Sequence, residues 1–117
     1  MKYSSSFTYD LHLGEYAEDW ANDLFNGSKK IEVKSDSMAH RTGNIFIEVY
    51  SRGKQSGIST TTADFWVYKI EQHDSAIILS TNRLKSLVKK YYKGNFTKGG
   101  DDDTSLGVLI PISEIFK

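Results

Sequence analysis

The spacing of apolar residues changes along this chain. Over 11–25, Leu13, Tyr16, Ala17, Trp20, Ala21 and Leu24 recur at helical intervals and share one face, which predicts a helix. Asn26-Gly27-Ser28 closes it, with Gly27 in the place of a C-terminal cap. Period two then takes over. Strands are predicted over 29–35, over 44–50, where Ile45, Ile47 and Val49 alternate with Phe46, Glu48 and Tyr50, over 64–71 and over 75–80. Ser80-Thr81-Asn82 supplies N-cap residues for a second helix over about 82–92, with Leu84, Leu87, Val88 and Tyr91 on one stripe. A last short strand, 106–112, holds the only proline, Pro111, and Ser113 stands where it would cap a final helical turn. The polar stretches 37–43, 51–62 and 94–105 read as loops. The order α-β-β-β-β-α-β-α predicts an α/β fold: a single domain over 1–117 with a mixed central sheet flanked by helices.

The segment Lys30-Ile31-Glu32-Val33-Lys34-Ser35-Asp36 stands out among these elements. Side chains alternate along a strand, so Ile31 and Val33 face one way, toward a core, and Glu32, Lys34 and Asp36 face the other. Such a charged row is costly to bury without partners and is often a strand's solvated face. It also has the form of an E-x-K half-site: a carboxylate that can hold a divalent cation beside an ammonium that can stabilise charge on a phosphate. Glu48 sits mid-strand between Phe46 and Tyr50 on the same face, a setting unlike a solvated one. If the first two strands pair as a hairpin, Glu48 comes near Glu32; the sequence leaves the register open. On the first helix Glu18 falls at the edge of the apolar face, from which it would reach a site at the helix–sheet junction; Glu15 lies further toward solvent. An acidic cluster suiting the helix dipole is the plainer explanation of both.

Composition narrows the options. There is no Cys, which excludes disulfides and cysteine-ligated zinc. No apolar run follows Met1-Lys2-Tyr3-Ser4-Ser5-Ser6, so no signal peptide is read, and no segment approaches the ~20 apolar residues of a membrane helix. A soluble cytoplasmic protein with no membrane partner is expected. Fifteen basic residues balance fifteen acidic ones, which argues against a purely electrostatic DNA binder. The charge is uneven, however: 83–98 is basic (Arg83, Lys85, Lys89, Lys90, Lys93, Lys98), whereas 10–23 and 101–103 are acidic. A metal nuclease needs both. His12, His40 and His73 show no metal-binding spacing. Asp101-Asp102-Asp103 lacks the ligand pattern of a calcium loop and reads as a solvated turn. Trp20 and Trp66 are expected in the core.

Taken together, Leu13-Gly14-Glu15-Tyr16-Ala17-Glu18, Ile31-Glu32-Val33-Lys34-Ser35-Asp36, Thr42-Gly43-Asn44-Ile45-Phe46-Ile47-Glu48, the run from Ser51 to Thr61 and Ala63-Asp64-Phe65-Trp66 resemble the PD-(D/E)XK nuclease superfamily. Within it they look most like small phage-type endonucleases related to Holliday junction resolvases. The likeness is densest over 31–66, continues in order to Ile112, and implies a restriction-endonuclease-like core. It matches Glu18 to the helix glutamate of the resolvases and Glu32 with Lys34 to the (D/E)-x-K pair, and Asp36 and Glu48 stand where the phage proteins also carry acids. The superfamily usually has an aspartate on a strand before the (D/E)-x-K strand. Here only Asn26-Gly27-Ser28-Lys29-Lys30 separates the first helix from that region, so Glu48, Asp36 or Asp23 takes over, the site is rewired, or activity is lost.

The resemblance implies phosphodiester hydrolysis with Mg²⁺, or Mn²⁺ in its place. Glu18, Glu32, Asp36 and Glu48 are the candidate metal ligands, and Glu18, Glu32, Lys34 and Glu48 the candidate catalytic residues. Segment 51–62 is a candidate DNA-contact loop: Arg52 and Lys54 can reach phosphates, and Ser56, Ser59, Thr60, Thr61 and Thr62 add hydroxyl donors. A polar connection capping a short helix before Ala63 is the alternative. DNA is the implied partner, and two symmetric cuts in a four-way junction imply a homodimer. Rival readings are a nuclease with another DNA task, a catalytically inactive nuclease-fold module that binds DNA or a protein partner, and an unrelated binding domain.

Overall fold

A computed structural model describes residues 7–100 and 103–117. The chain divides into two compact units, Met1–Lys30 and Ile31–Lys117. The first contains helix α1 (Phe7–Phe25), which begins earlier than its apolar periodicity predicts. Of its expected apolar face, Leu24 is buried, while Trp20 is 42% and Tyr16 76% exposed. Trp20 is therefore not a core residue, unlike Trp66.

The second unit is α/β. Its strands are β1 (Ile31–Asp36), β2 (Asn44–Ser51), β3 (Lys54–Gln55), β4 (Phe65–Ile70), β5 (Ala76–Ser80), β6 (Thr97–Gly99) and β7 (Ser105–Pro111); its helices are α2 (Ala39–Thr42) and α3 (Thr81–Tyr91). The strands form two sheets where one was expected: a mixed three-stranded sheet, β1-β4-β5, and an antiparallel four-stranded sheet, β3-β2-β7-β6. The first two strands thus do not make a hairpin. β1 runs parallel to β4 over six register pairs, a pairing that requires a long crossover, and α2, β2 and β3 provide it. β2 instead pairs with β7.

Local chemistry explains these elements. Asp36 ends β1 and starts α2: its Oδ1 accepts from the backbone N–H of Met38 (2.9 Å) and Ala39 (2.8 Å). Its Oδ2 accepts from Phe46 N–H at 3.3 Å, which ties β1 to β2 across the sheets. Ser80 caps α3 as predicted, accepting from Arg83 N–H at 3.2 Å. Pro111 closes β7, where its missing N–H interrupts no ladder interior. A continuous core joins Ile45, Ile47, Val108 and Ile110 of one sheet with Trp66, Tyr68 and Leu79 of the other and with Leu84 and Leu87 of α3. Arg83 donates to the carbonyls of Ile115 (2.8 Å) and Lys117 (3.1 Å), so this residue of the basic helix holds the C-terminal turn. No described helix is long and apolar enough to cross a membrane. Of the acidic run 101–103, Asp101 and Asp102 lie outside the described residues.

Candidate active site

On β1 the burial is the reverse of the pattern expected. Ile31 and Val33 are 39% and 63% exposed, whereas Glu32, Lys34 and Asp36 are half-buried. The charged row is turned inward because β1 lies beside β4, where Glu32 is in register with Trp66 and Lys34 with Tyr68. Residues in register share a sheet face. The Lys34 ammonium stands 5.9 Å from the centre of the Trp66 ring, and the Trp66 and Tyr68 rings stack at 18° with centroids 6.1 Å apart. Trp66 Nε1–H is buried and has no hydrogen-bond partner among the described residues.

These groups open into a cleft of about 620 Å³. Lys34 and Asp36 line it from β1, Trp66 and Tyr68 from β4, Phe46 and Glu48 from β2, and Lys98 from β6. Glu48 is half-buried and held at both oxygens: Ser56 Oγ donates to Oε2 at 2.7 Å and Ser105 Oγ to Oε1 at 2.6 Å. Burial by itself would push the Glu48 carboxyl up in pKa. The hydrogen bonds from Ser105 and Ser56 and the positive charge of Lys34 outweigh it, so the pKa is lowered and Glu48 is a carboxylate at neutral pH. Tyr68, only 2% exposed, has the opposite shift. Burial raises its phenol pKa, and the negative charges of Asp36, Glu32 and Glu48 raise it further. Carboxylates from both sheets thus act electrostatically on one phenol.

The loop after β2 owes its shape to two backbone features. A register shift between Glu48 and Tyr50 bulges Val49 out of the β7 ladder, and its carbonyl accepts from Ser56 N–H at 2.9 Å. Gly57 adopts φ +55° against β2; a Cβ there would lie 2.3 Å from the Glu48 carbonyl oxygen. The chain can therefore fold back and bring Ser56 onto Glu48.

The structure brings Lys34, Asp36 and Glu48 into one cleft lining; Glu32 shares the half-buried face of β1 with Lys34 but is not part of that lining. Glu18 has an exposed side chain on α1, in the first unit. Asp36 commits both oxygens to backbone N–H groups, so capping accounts for its presence. Among the candidate DNA contacts, Arg52 and Lys54 flank Gly53 in the exposed β2–β3 turn. Ser56 and Ser59 instead direct their hydroxyls inward, to Glu48 and to the carbonyls of Val49 and Ser56 respectively. Thr60 is exposed, and Thr61 Oγ1 accepts from Ala63 N–H at 3.0 Å. The 51–62 stretch includes a short 3-10 turn, Gly57–Ser59, before Ala63, but its N-cap residue Ser56 makes no side-chain capping bond of the kind the alternative reading expected. Sequence reasoning missed Ser105 and Lys98, both in a stretch read as loop that carries β6 and the start of β7. A serine opening a strand bears no signal of a partner 57 positions away.

No three His, Cys, Asp or Glu side chains among the described residues converge as a cation cage. The available donors still suit a hard cation that keeps most of its water: all are oxygens, and Glu48 is ionised, as a ligand must be. Glu48, in the cleft lining, would hold such an ion, and Glu32, on the half-buried face of β1, is the other candidate. Compared with protein-family models, curated proteins and solved structures, the chain finds no match.

Proposed function

We propose that this protein is a metal-dependent DNA endonuclease of the PD-(D/E)XK type that hydrolyses phosphodiester bonds in branched or otherwise structured DNA. The observation that carries this reading is the inward-turned row of β1: Glu32 and Lys34 share its half-buried face, and Lys34 lines a cleft that also holds an ionised Glu48. Turning Glu32 and Lys34 inward leaves Ile31 and Val33 exposed, and burying charge is costly unless it is partnered. A Mg²⁺ ion on Glu32 and Glu48 would supply a water of lowered pKa and charge to offset the phosphate. Lys34, which faces Glu48, adds a fixed positive charge where negative charge develops on the phosphoryl oxygens. Tyr68 stays protonated and remains a hydrogen-bond donor beside the carboxylates. Arg52 and Lys54 at their exposed turn are the residues that would contact the DNA backbone.

A second reading, an inactive module of the same fold that binds DNA or a protein, is favoured by the full engagement of Asp36 and the lack of a three-carboxylate cage among the described residues. One experiment decides between them. A labelled four-way junction, a linear duplex and a single strand are incubated with protein in Mg²⁺, Mn²⁺ or EDTA, with Glu32→Ala, Lys34→Ala and Glu18→Ala alongside wild type. Metal-dependent cutting abolished by the first two substitutions supports the nuclease. A folded wild-type protein that cuts nothing with either metal refutes it.

A further inference from the structure

We infer that Ser56 and Ser105 are positioning residues that fix the plane and direction of the Glu48 carboxylate for a cation in the cleft; this rests on the metal-dependent reading above. The two hydroxyls approach from different parts of the chain, one from the loop after β3 and one from the first residue of β7. Each takes a different carboxylate oxygen, at 2.7 and 2.6 Å. A carboxylate has about four acceptor sites, so two remain, one on each oxygen. A single hydrogen bond would leave the group free to rotate about its last torsion; two, on opposite oxygens, do not.

The surrounding backbone is arranged to keep this clamp. Val49 leaves the β7 ladder, which lets Ser56 N–H reach its carbonyl at 2.9 Å, and the chain then passes Glu48 at a point that admits no Cβ, at Gly57. Ser105 is 5% exposed, so its hydroxyl is sheltered from competing water. The positive charge of Lys34 acts on the same carboxylate, and Lys34 and Glu48 line one cleft. Partners that orient a ligating side chain in this way commonly change metal affinity by about 10–100-fold. The clamp also takes Ser56 out of the set of DNA contacts.

The test uses the full chain with Mn²⁺ alone, its binding read by electron paramagnetic resonance in the absence of DNA. Ser56→Ala and Ser105→Ala are each expected to weaken Mn²⁺ about 10-fold or more, and Ser56→Thr, which keeps the hydroxyl, to retain near wild-type affinity. In junction cleavage the alanine variants should lose kcat with KM for DNA unchanged. Thermal unfolding confirms that each variant is folded, and if Ser105→Ala is not, Ser56→Ala and its threonine counterpart decide. Wild type that binds Mn²⁺ and cuts, with alanine variants that bind it equally well, overturns the positioning role and leaves the nuclease reading intact. Wild type that neither binds Mn²⁺ nor cuts overturns both.

Discussion

Gly57→Ala and Gly53→Ala form a matched pair that tests how tightly the loop is seated on β2. Both glycines have positive φ, +55° and +80°. An alanine at either site takes a left-handed conformation, which costs about 1–2 kcal/mol. They differ in what the new methyl meets. At Gly53 it points into open space; at Gly57 it lies 2.3 Å from the Glu48 carbonyl oxygen. Real Cβ atoms essentially never come within 3.0 Å of such an atom, so the loop must retreat by at least about 0.7 Å. Ser56, the preceding residue, retreats with it, and its 2.7 Å bond to Glu48 stretches to the limit of a hydrogen bond. Loss of a hydrogen bond to a charged acceptor costs about 1.5–3 kcal/mol, and the lower end applies at this half-exposed site. Gly57→Ala should thus cost about 2.5–3.5 kcal/mol and Gly53→Ala about 1–2. Urea denaturation with linear extrapolation measures both, and unchanged m-values would locate the loss in the folded state. Equal losses for the two variants would refute the argument, since only the contact with β2 separates them.

Two further predictions concern titration and capping. The raised Tyr68 phenol keeps its proton in the folded state at pH values where the unfolded chain, ionising near 10, has lost it. Stability from this residue is fully present below about pH 10 and falls by about 1.4 kcal/mol per pH unit above it. Tyr68→Phe should flatten the alkaline limb of a stability–pH curve, and identical limbs in both proteins would sink the claim. Asp36→Asn keeps an oxygen for the Met38 and Ala39 N–H groups but deprives Phe46 N–H of its acceptor. It should cost about 1–2 kcal/mol in urea denaturation while leaving Mn²⁺ affinity within a few-fold of wild type; a large loss of Mn²⁺ binding would make Asp36 a ligand rather than a cap.

How much could be read from the sequence depended on the range of the forces involved. Helix α3 and its Ser80 cap were legible because capping and amphipathic spacing act within a few residues. Strands β1, β2, β4, β5 and β7 emerged near their predicted limits for the same reason. Which strand pairs with which was not legible: β1 carries no mark that selects a parallel β4 over an adjacent β2. The face of β1 was misjudged on this account, since Ile31 and Val33 look like core residues until the neighbour of Glu32 is known to be Trp66. Glu48 was recognisable from its aromatic flanks, whereas Ser105, which holds it, was hidden by 57 residues of separation. The roles of Ser56 and Ser59 turned on a bulge and a left-handed glycine, which composition alone renders as a polar loop.

The bond between Ser105 and Glu48 also has a bearing on how the chain acquires its shape in time. β2 is complete at residue 51, but its long partner begins at residue 105, so through much of synthesis β2 has only the two residues of β3 to pair with. Pairings so distant in sequence fold slowly, because loop closure must precede any gain from contact. During that interval Ile45 and Ile47 lack the cover that Val108 and Ile110 later give, and the β2 edge is open to other chains. Glu48, in the cleft lining, is accordingly among the last groups to gain both hydrogen-bond partners. Until β7 docks, β2 presents an open edge and Glu48 lacks the Ser105 hydroxyl, so the same late pairing that covers the strand also completes the hydrogen bonds of the carboxylate.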